Sequence, residues 1–119
     1  MQKYQELEIW RKSVEVVKGV YELADKLPKV KKYGMISHMM HTALSIPVNI
    51  TKSYGGKSSK ELVDYLDAAL ESALSLQMYF ILIRELLWTK DGHHELEFKL
   101  ENLINHLHGE VKLIRSFMK

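Results

Sequence analysis

Leu62, Leu66, Ala69, Ala73, Leu76, Phe80, Ile83 and Leu87 recur at alternating steps of four and three over seven steps. That spacing keeps one apolar stripe in phase with a turn of 3.6 residues, and a strand, with its period of two, cannot present it. The stretch is therefore a long helix. Its start is marked by Ser58-Ser59-Lys60-Glu61, where Ser58 is placed to cap and Glu61 to reach back as a capping box. Only 6 Gly and 2 Pro occur in 119 residues, too few for the turn density of a β-sandwich.

The rest of the chain has the same periodicity. Leu7, Trp10, Val14, Val17, Tyr21 and Ala24 mark one face of a first helix that stops at Pro28. Lys90-Asp91-Gly92 breaks the third helix, and a last one follows with Leu96, Leu100, Leu103, Leu107, Val111, Ile114 and Met118. The second helix, roughly Met35 to Tyr54, reads Ile36, Met40, Ala43, Pro47, Ile50 and Tyr54, with Met39 and Ile46 alongside. Pro47 removes the bond its N–H would give to the Ala43 carbonyl and predicts a bend. A break into two short helices is the alternative; the kinked helix is preferred because the pattern keeps its phase across the proline. Helix three also carries Val63, Leu70, Leu74, Met78 and Ile81 on an adjoining face. Such a helix is either the most buried element of the bundle or one that also meets another subunit. Residues 1–119 are long enough for one self-sufficient core. The expected fold is all-α: a single antiparallel up-down-up-down four-helix-bundle domain with a Pro-kinked second helix.

Several chemistries drop out. The chain has no Cys, which excludes disulfides, thiol catalysis and cysteine metal sites. His38 and His41 share a helix face without a nearby carboxylate, and no histidine has the Glu three residues before it that a di-iron bundle requires. Gly55-Gly56-Lys57-Ser58 lacks the first glycine of a phosphate loop and reads instead as the end of helix two. No nucleophile motif is present. The expectation is no enzyme, no catalytic residue, no metal and no cofactor. The start of the chain lacks the apolar core of a signal peptide, and the longest apolar run, Met78 to Ile83, is far short of a membrane span. A cytoplasmic protein without membrane attachment is expected.

Charge is the feature that points outward. The net charge of +2 conceals 11 basic and 5 acidic residues in 1–60 against 6 and 10 in 61–119. From Lys26 to Lys60 there is no acid, while Glu61, Asp64, Asp67 and Glu71 follow on one face of helix three. In one reading Lys29, Lys31 and Lys32 at the first corner, with Lys52, Lys57 and Lys60 at the next, form a phosphate-binding surface. Tyr33 and Tyr54 are then placed to stack on bases. In the other, lysines and acids are solvated faces, or meet between copies in a ring. His38, Thr42, Ser45, Asn49 and Lys52 add a polar stripe on helix two, with His41 beside it. It would line a channel or a wet seam, or simply face solvent.

The assembled residues resemble the bacterial four helix bundle protein family, which includes proteins encoded by intervening sequences within 23S ribosomal RNA genes. The resemblance rests on Leu7-Glu8-Ile9-Trp10-Arg11-Lys12, on Leu27-Pro28 followed by Tyr33-Gly34-Met35, and most specifically on Ala43-Leu44-Ser45-Ile46-Pro47-Val48-Asn49-Ile50. Gly55 to Glu61 and Ala68-Ala69-Leu70-Glu71-Ser72-Ala73 follow at the expected places. Family members commonly carry Gln and Arg-Arg where this chain has His38, Met40 and His41, and Glu-Gly where it has Lys52-Ser53. The resemblance implies a homo-oligomer, specifically a homopentamer around a central channel, with RNA binding suspected. More distantly it implies kinship with accessory proteins of diversity-generating retroelements, which bind a reverse transcriptase and nucleic acid. The combined expectation is a non-enzymatic oligomer binding RNA or DNA backbone through Lys29, Lys31, Lys32, Lys52, Lys57 and Lys60. The alternative is a structural or protein-interaction scaffold.

Overall fold

The computed structural model describes residues 4–28, 33–89 and 92–118. A short 3-10 turn, Tyr4–Glu6, leads into α1 (Glu8–Lys26), α2 (Tyr33–Tyr54), α3 (Ser59–Glu85) and α4 (His94–Ser116). No strand occurs among the described residues. Each helix packs against its neighbour in the chain, and α1 closes the set by packing on α4. Specific pairs fix the directions. Trp10 Nε1 donates to Thr51 Oγ1 at 3.1 Å, tying the start of α1 to the end of α2. Lys12 meets His106 while Gly19 lies against Leu96, so positions that advance along α1 recede along α4. Arg84 with Glu97, and Arg115 with Asp67, give the same order for α3 and α4. The bundle measures 48 × 22 × 21 Å.

The core runs the length of the four helices, with Met39, Ile46, Leu76, Phe80, Leu103 and Leu107 fully enclosed. Burying each such side chain is worth about 1.5–3 kcal/mol. The stripe expected on α4 is buried from Leu96 to Val111, and that on α3 from Leu66 to Ile83. On α1 the buried face is Ile9, Ser13, Val16, Val20, Leu23 and Ala24, continued by Leu27 just beyond the helix; of the expected Leu7–Ala24 stripe it includes Ala24 and otherwise runs one position aside. Ser13 hides that second three-four series in the sequence. It tolerates full burial because its hydroxyl donates to the Trp10 carbonyl at 2.6 Å. On α2 the face likewise moves to Ile36, Met39, Ala43, Ile46, Ile50 and Ser53, leaving Met40, Pro47 and Tyr54 half-buried at its margin. The half-polar rings of Trp10 and Tyr54 suit such a margin better than the centre.

α2 is one helix from Tyr33 to Tyr54 with Pro47 inside it, not two short ones. It ends at Gly55 and Gly56, whose amides donate to the Lys52 and Ser53 carbonyls. A Cβ on Gly56 would stand 3.0 Å from the Ser53 oxygen and 3.3 Å from the Leu62 nitrogen, so a side chain there would crowd the backbone of the turn. Ser58 then caps α3 by accepting from the Glu61 amide at 3.1 Å.

The far end of α3 departs from the sequence pattern. The helix stops at Glu85, and Leu87, the last member of its stripe, is 83% exposed with φ at 56°. The amides of Leu87 and Trp88 return to the carbonyls of Arg84 and Ile83, the pairing of a Schellman cap. Leucine there occupies the position that normally belongs to glycine. By length and composition alone α3 is apolar enough to cross a membrane, a test that the central helix of a bundle also passes. One of its faces lies in the core, and the opposite face carries Asp64, Asp67 and Glu71.

Candidate nucleic-acid interface

The α2–α3 corner brings together three of the six candidate lysines. Lys52 stands in the last turn of α2, Lys57 in the turn and Lys60 in the first turn of α3, all exposed. Lys60 is held by Asp64 at 2.9 Å, an exposed pair one helical turn apart. Lys52 and Lys57 have no ion-pair partner among the described residues. The free positive charge of this corner therefore sits on two residues, reinforced by the positive end of the α3 backbone dipole. Lys29, Lys31 and Lys32 lie outside the described residues.

The acids that follow are not a uniform solvated face. Asp64 pairs with Lys60, and Asp67 reaches across to Arg115 at the end of α4. Of the four acids, half-buried Glu61 and exposed Glu71 have no ion-pair partner among the described residues. Arg11, which charge counting did not single out, lies at this same end and donates to the Gln5 carbonyl at 3.1 Å. Exposed pairs of this kind contribute little to stability, so they shape the surface potential more than the fold.

The two tyrosines part company. Tyr54 is half-buried, its ring set edge-on to Tyr4, which in turn stands edge-on to Trp10. It belongs to a structural cluster closing the end of the bundle and is not free to stack on a base. Tyr33 begins α2 and is 73% exposed. It lines a cleft of about 440 Å³ between the end of α1 and the start of α2. The sequence contains no sign of this cleft, because its other walls, Tyr21 and Met40, read as core positions.

The polar stripe of α2 divides as well. His38 and Lys52 are exposed at its ends, while its middle packs toward α3. Ser45 Oγ lies 2.6 Å from both the Thr42 carbonyl and Ser72 Oγ, and Asn49 donates to the Ser45 carbonyl at 2.8 Å. With one hydroxyl hydrogen, Ser45 donates to the carbonyl and accepts from Ser72. Ser45 thus ties α2 to α3 within one chain, while Thr42, Ser45 and Asn49 stay half-buried.

Histidine chemistry is local. Among the described residues no group of His, Asp or Glu is arranged to hold a metal ion. His93 is the most enclosed of the histidines, its side chain 9% exposed and its ring edge-on to Phe80. Its Nε2 lies 3.4 Å from a Glu97 oxygen that also takes the Arg84 guanidinium, and is too poorly directed for a hydrogen bond.

A comparison with curated proteins finds no match. One solved structure, a protein with unknown function from the S23 ribosomal protein family of Bacteroides thetaiotaomicron, superposes with a TM-score of 0.74 at 18% identity. The match covers 87% of this chain and 95% of that one. At that identity the likeness speaks for the fold alone. The family model described as 23S rRNA-intervening sequence protein matches residues 5–109, from before α1 into α4. On that match, the chain belongs to the 23S rRNA-intervening sequence protein family.

Proposed function

We propose that this protein is a non-enzymatic, oligomeric accessory protein of the cytoplasm that binds RNA through the lysine-bearing ends of its bundle. The observation that carries the reading is the α2–α3 corner, where Lys52 and Lys57 stand exposed and unpaired in a member of a family named for a segment of ribosomal RNA. Two free ammonium groups per chain make a weak phosphate site. A cyclic oligomer repeats them around its axis, together with Lys29, Lys31 and Lys32 from the stretch that precedes α2 in the sequence, and so multiplies the contacts. Lysine acts on phosphate as a point charge, which suits attachment to the backbone without reading bases.

A second reading, a protein-interaction scaffold, draws on a different observation. Leu74, Met78, Ile81 and Leu82 are all exposed along the second half of α3. A contiguous apolar face of this kind marks a contact with protein. In the preferred reading that contact is made by another copy of the chain, and the two surfaces coexist.

Titration of structured RNA separates the readings. Lys52→Glu with Lys57→Glu should weaken binding at least tenfold and flatten its salt dependence by about 0.7–0.9 log units per lost phosphate contact. The same reversals at Lys99 and Lys112 should change little. Equal losses from both pairs would reduce the effect to general charge attraction, and no binding by the parent would leave the scaffold.

A further inference from the structure

The seam between α1 and α4 closes the bundle, joining its first and last helices. Across it Lys12 Nζ lies 3.1 Å from His106 Nδ1, and both side chains are half-buried. An ammonium group carries donors only, so the ring nitrogen is the acceptor. That assigns the tautomer. His106 is neutral with its proton on Nε2, and Nε2 faces a Glu110 carboxylate oxygen at 3.6 Å. Glu8, one turn before Lys12, stands 3.5 Å from the same ammonium. Arg11, Glu15 and Lys99 line the groove that Lys12 also borders. α3, the other helix packed on α4, carries Glu71 and Tyr79 between its Asp67–Arg115 and Arg84–Glu97 pairs. Neither of the two pairs with His106 among the described residues.

Imidazole is the side chain that changes charge between about pH 5 and 8. A second proton, taken from solvent, must enter His106 at Nδ1, where the free lone pair is. It turns the acceptor for Lys12 into a second cation beside it, and the bond between the helices is lost. The charged ring still faces Glu110, but that carboxylate lies one turn along the same helix. The attraction gained there ties α4 to itself and leaves α1 unheld. Lys12 keeps Glu8, which is likewise on its own helix. We propose that Lys12 and His106 form a proton-operated latch on the α1–α4 seam, closed when the ring is neutral and released when it is charged. The sign follows from the donor: the bond exists only while Nδ1 is unprotonated, so it holds on the alkaline side and is lost as pH falls.

A double-mutant cycle on the full-length protein tests the latch. Lys12→Met and His106→Leu are made singly and together, and unfolding in urea is followed at pH 8 and pH 5. Coupling at pH 8 should favour the folded parent about 2- to 10-fold, the worth of one hydrogen bond. At pH 5 it should vanish or reverse. His106→Gln, whose carbonyl accepts from Lys12 and takes no proton, should keep its coupling to Lys12 at both pH values. The nitrogen-15 shifts of the histidine rings check the parent without any substitution: at pH 8 His106 should carry its proton on Nε2 and none on Nδ1. A ring protonated at Nδ1 at pH 8 overturns the proposal, because it cannot accept from Lys12. Coupling that is absent at pH 8, equal at the two pH values in the parent, or lost with acid in the glutamine variant overturns it as well.

Discussion

Leu87 shows how one residue can sit against its own preference. Its left-handed backbone closes α3 through the amides of Leu87 and Trp88, yet a side chain in that region crowds the following carbonyl at a cost of about 1–2 kcal/mol. The side chain is 83% exposed and repays little of that through burial. Leu87→Gly should therefore raise stability by about 1 kcal/mol in a denaturant titration, and a loss would mean that leucine makes a contact worth more than the strain. Lys60 illustrates the opposite lesson, on the surface. Counted in the sequence it is a free cation, but Asp64 one turn later takes it up. Lys60→Ala should for that reason weaken RNA binding less than Lys57→Ala, read from paired titrations. Larger loss at Lys60 would show that the pair opens to receive phosphate.

At the scale of elements, the helices were legible because each carries an unbroken three-four series, and α3 and α4 bury the side of the helix that their leucines mark. On α1 and α2 two adjacent series compete, and the expected one shares only Ala24, Ile36, Ala43 and Ile50 with the buried face. Buried Ser13 and Ser53 break the true series, while Trp10, Tyr21 and Tyr54 decorate the neighbouring one. Packing resolves the choice by placing small residues where helices approach. The α1–α4 contact depends on one of them: a Cβ on Gly19 would fall 2.5 Å from a Leu96 methyl. Gly19→Val should destabilise the fold by about 1–3 kcal/mol through overpacking, measured as a shift of the urea midpoint at unchanged slope. No change would mean that Leu96 rotates away without cost. The lysine corner could be read from sequence because its charges lie within nine residues of one another. The cleft could not, since its two tyrosines are twelve residues apart and come to line it only through the α1–α2 packing.

For the whole molecule, the proposed assembly would cover the exposed row of Leu74, Met78, Ile81 and Leu82. Light scattering after gel filtration should return about five times 13.9 kDa, and Leu74→Glu with Met78→Glu should reduce it toward one chain. A parent mass of 13.9 kDa at micromolar concentration would leave that apolar row without its proposed partner. If the bundle binds RNA by its phosphates, as proposed, its affinity for structured RNA must depend steeply on salt. With several lysines per ring engaged, log Kd should rise linearly with log salt at a slope of about 0.7–0.9 for each phosphate contacted, totalling at least three. A slope near zero, or no binding near physiological ionic strength, would contradict the claim.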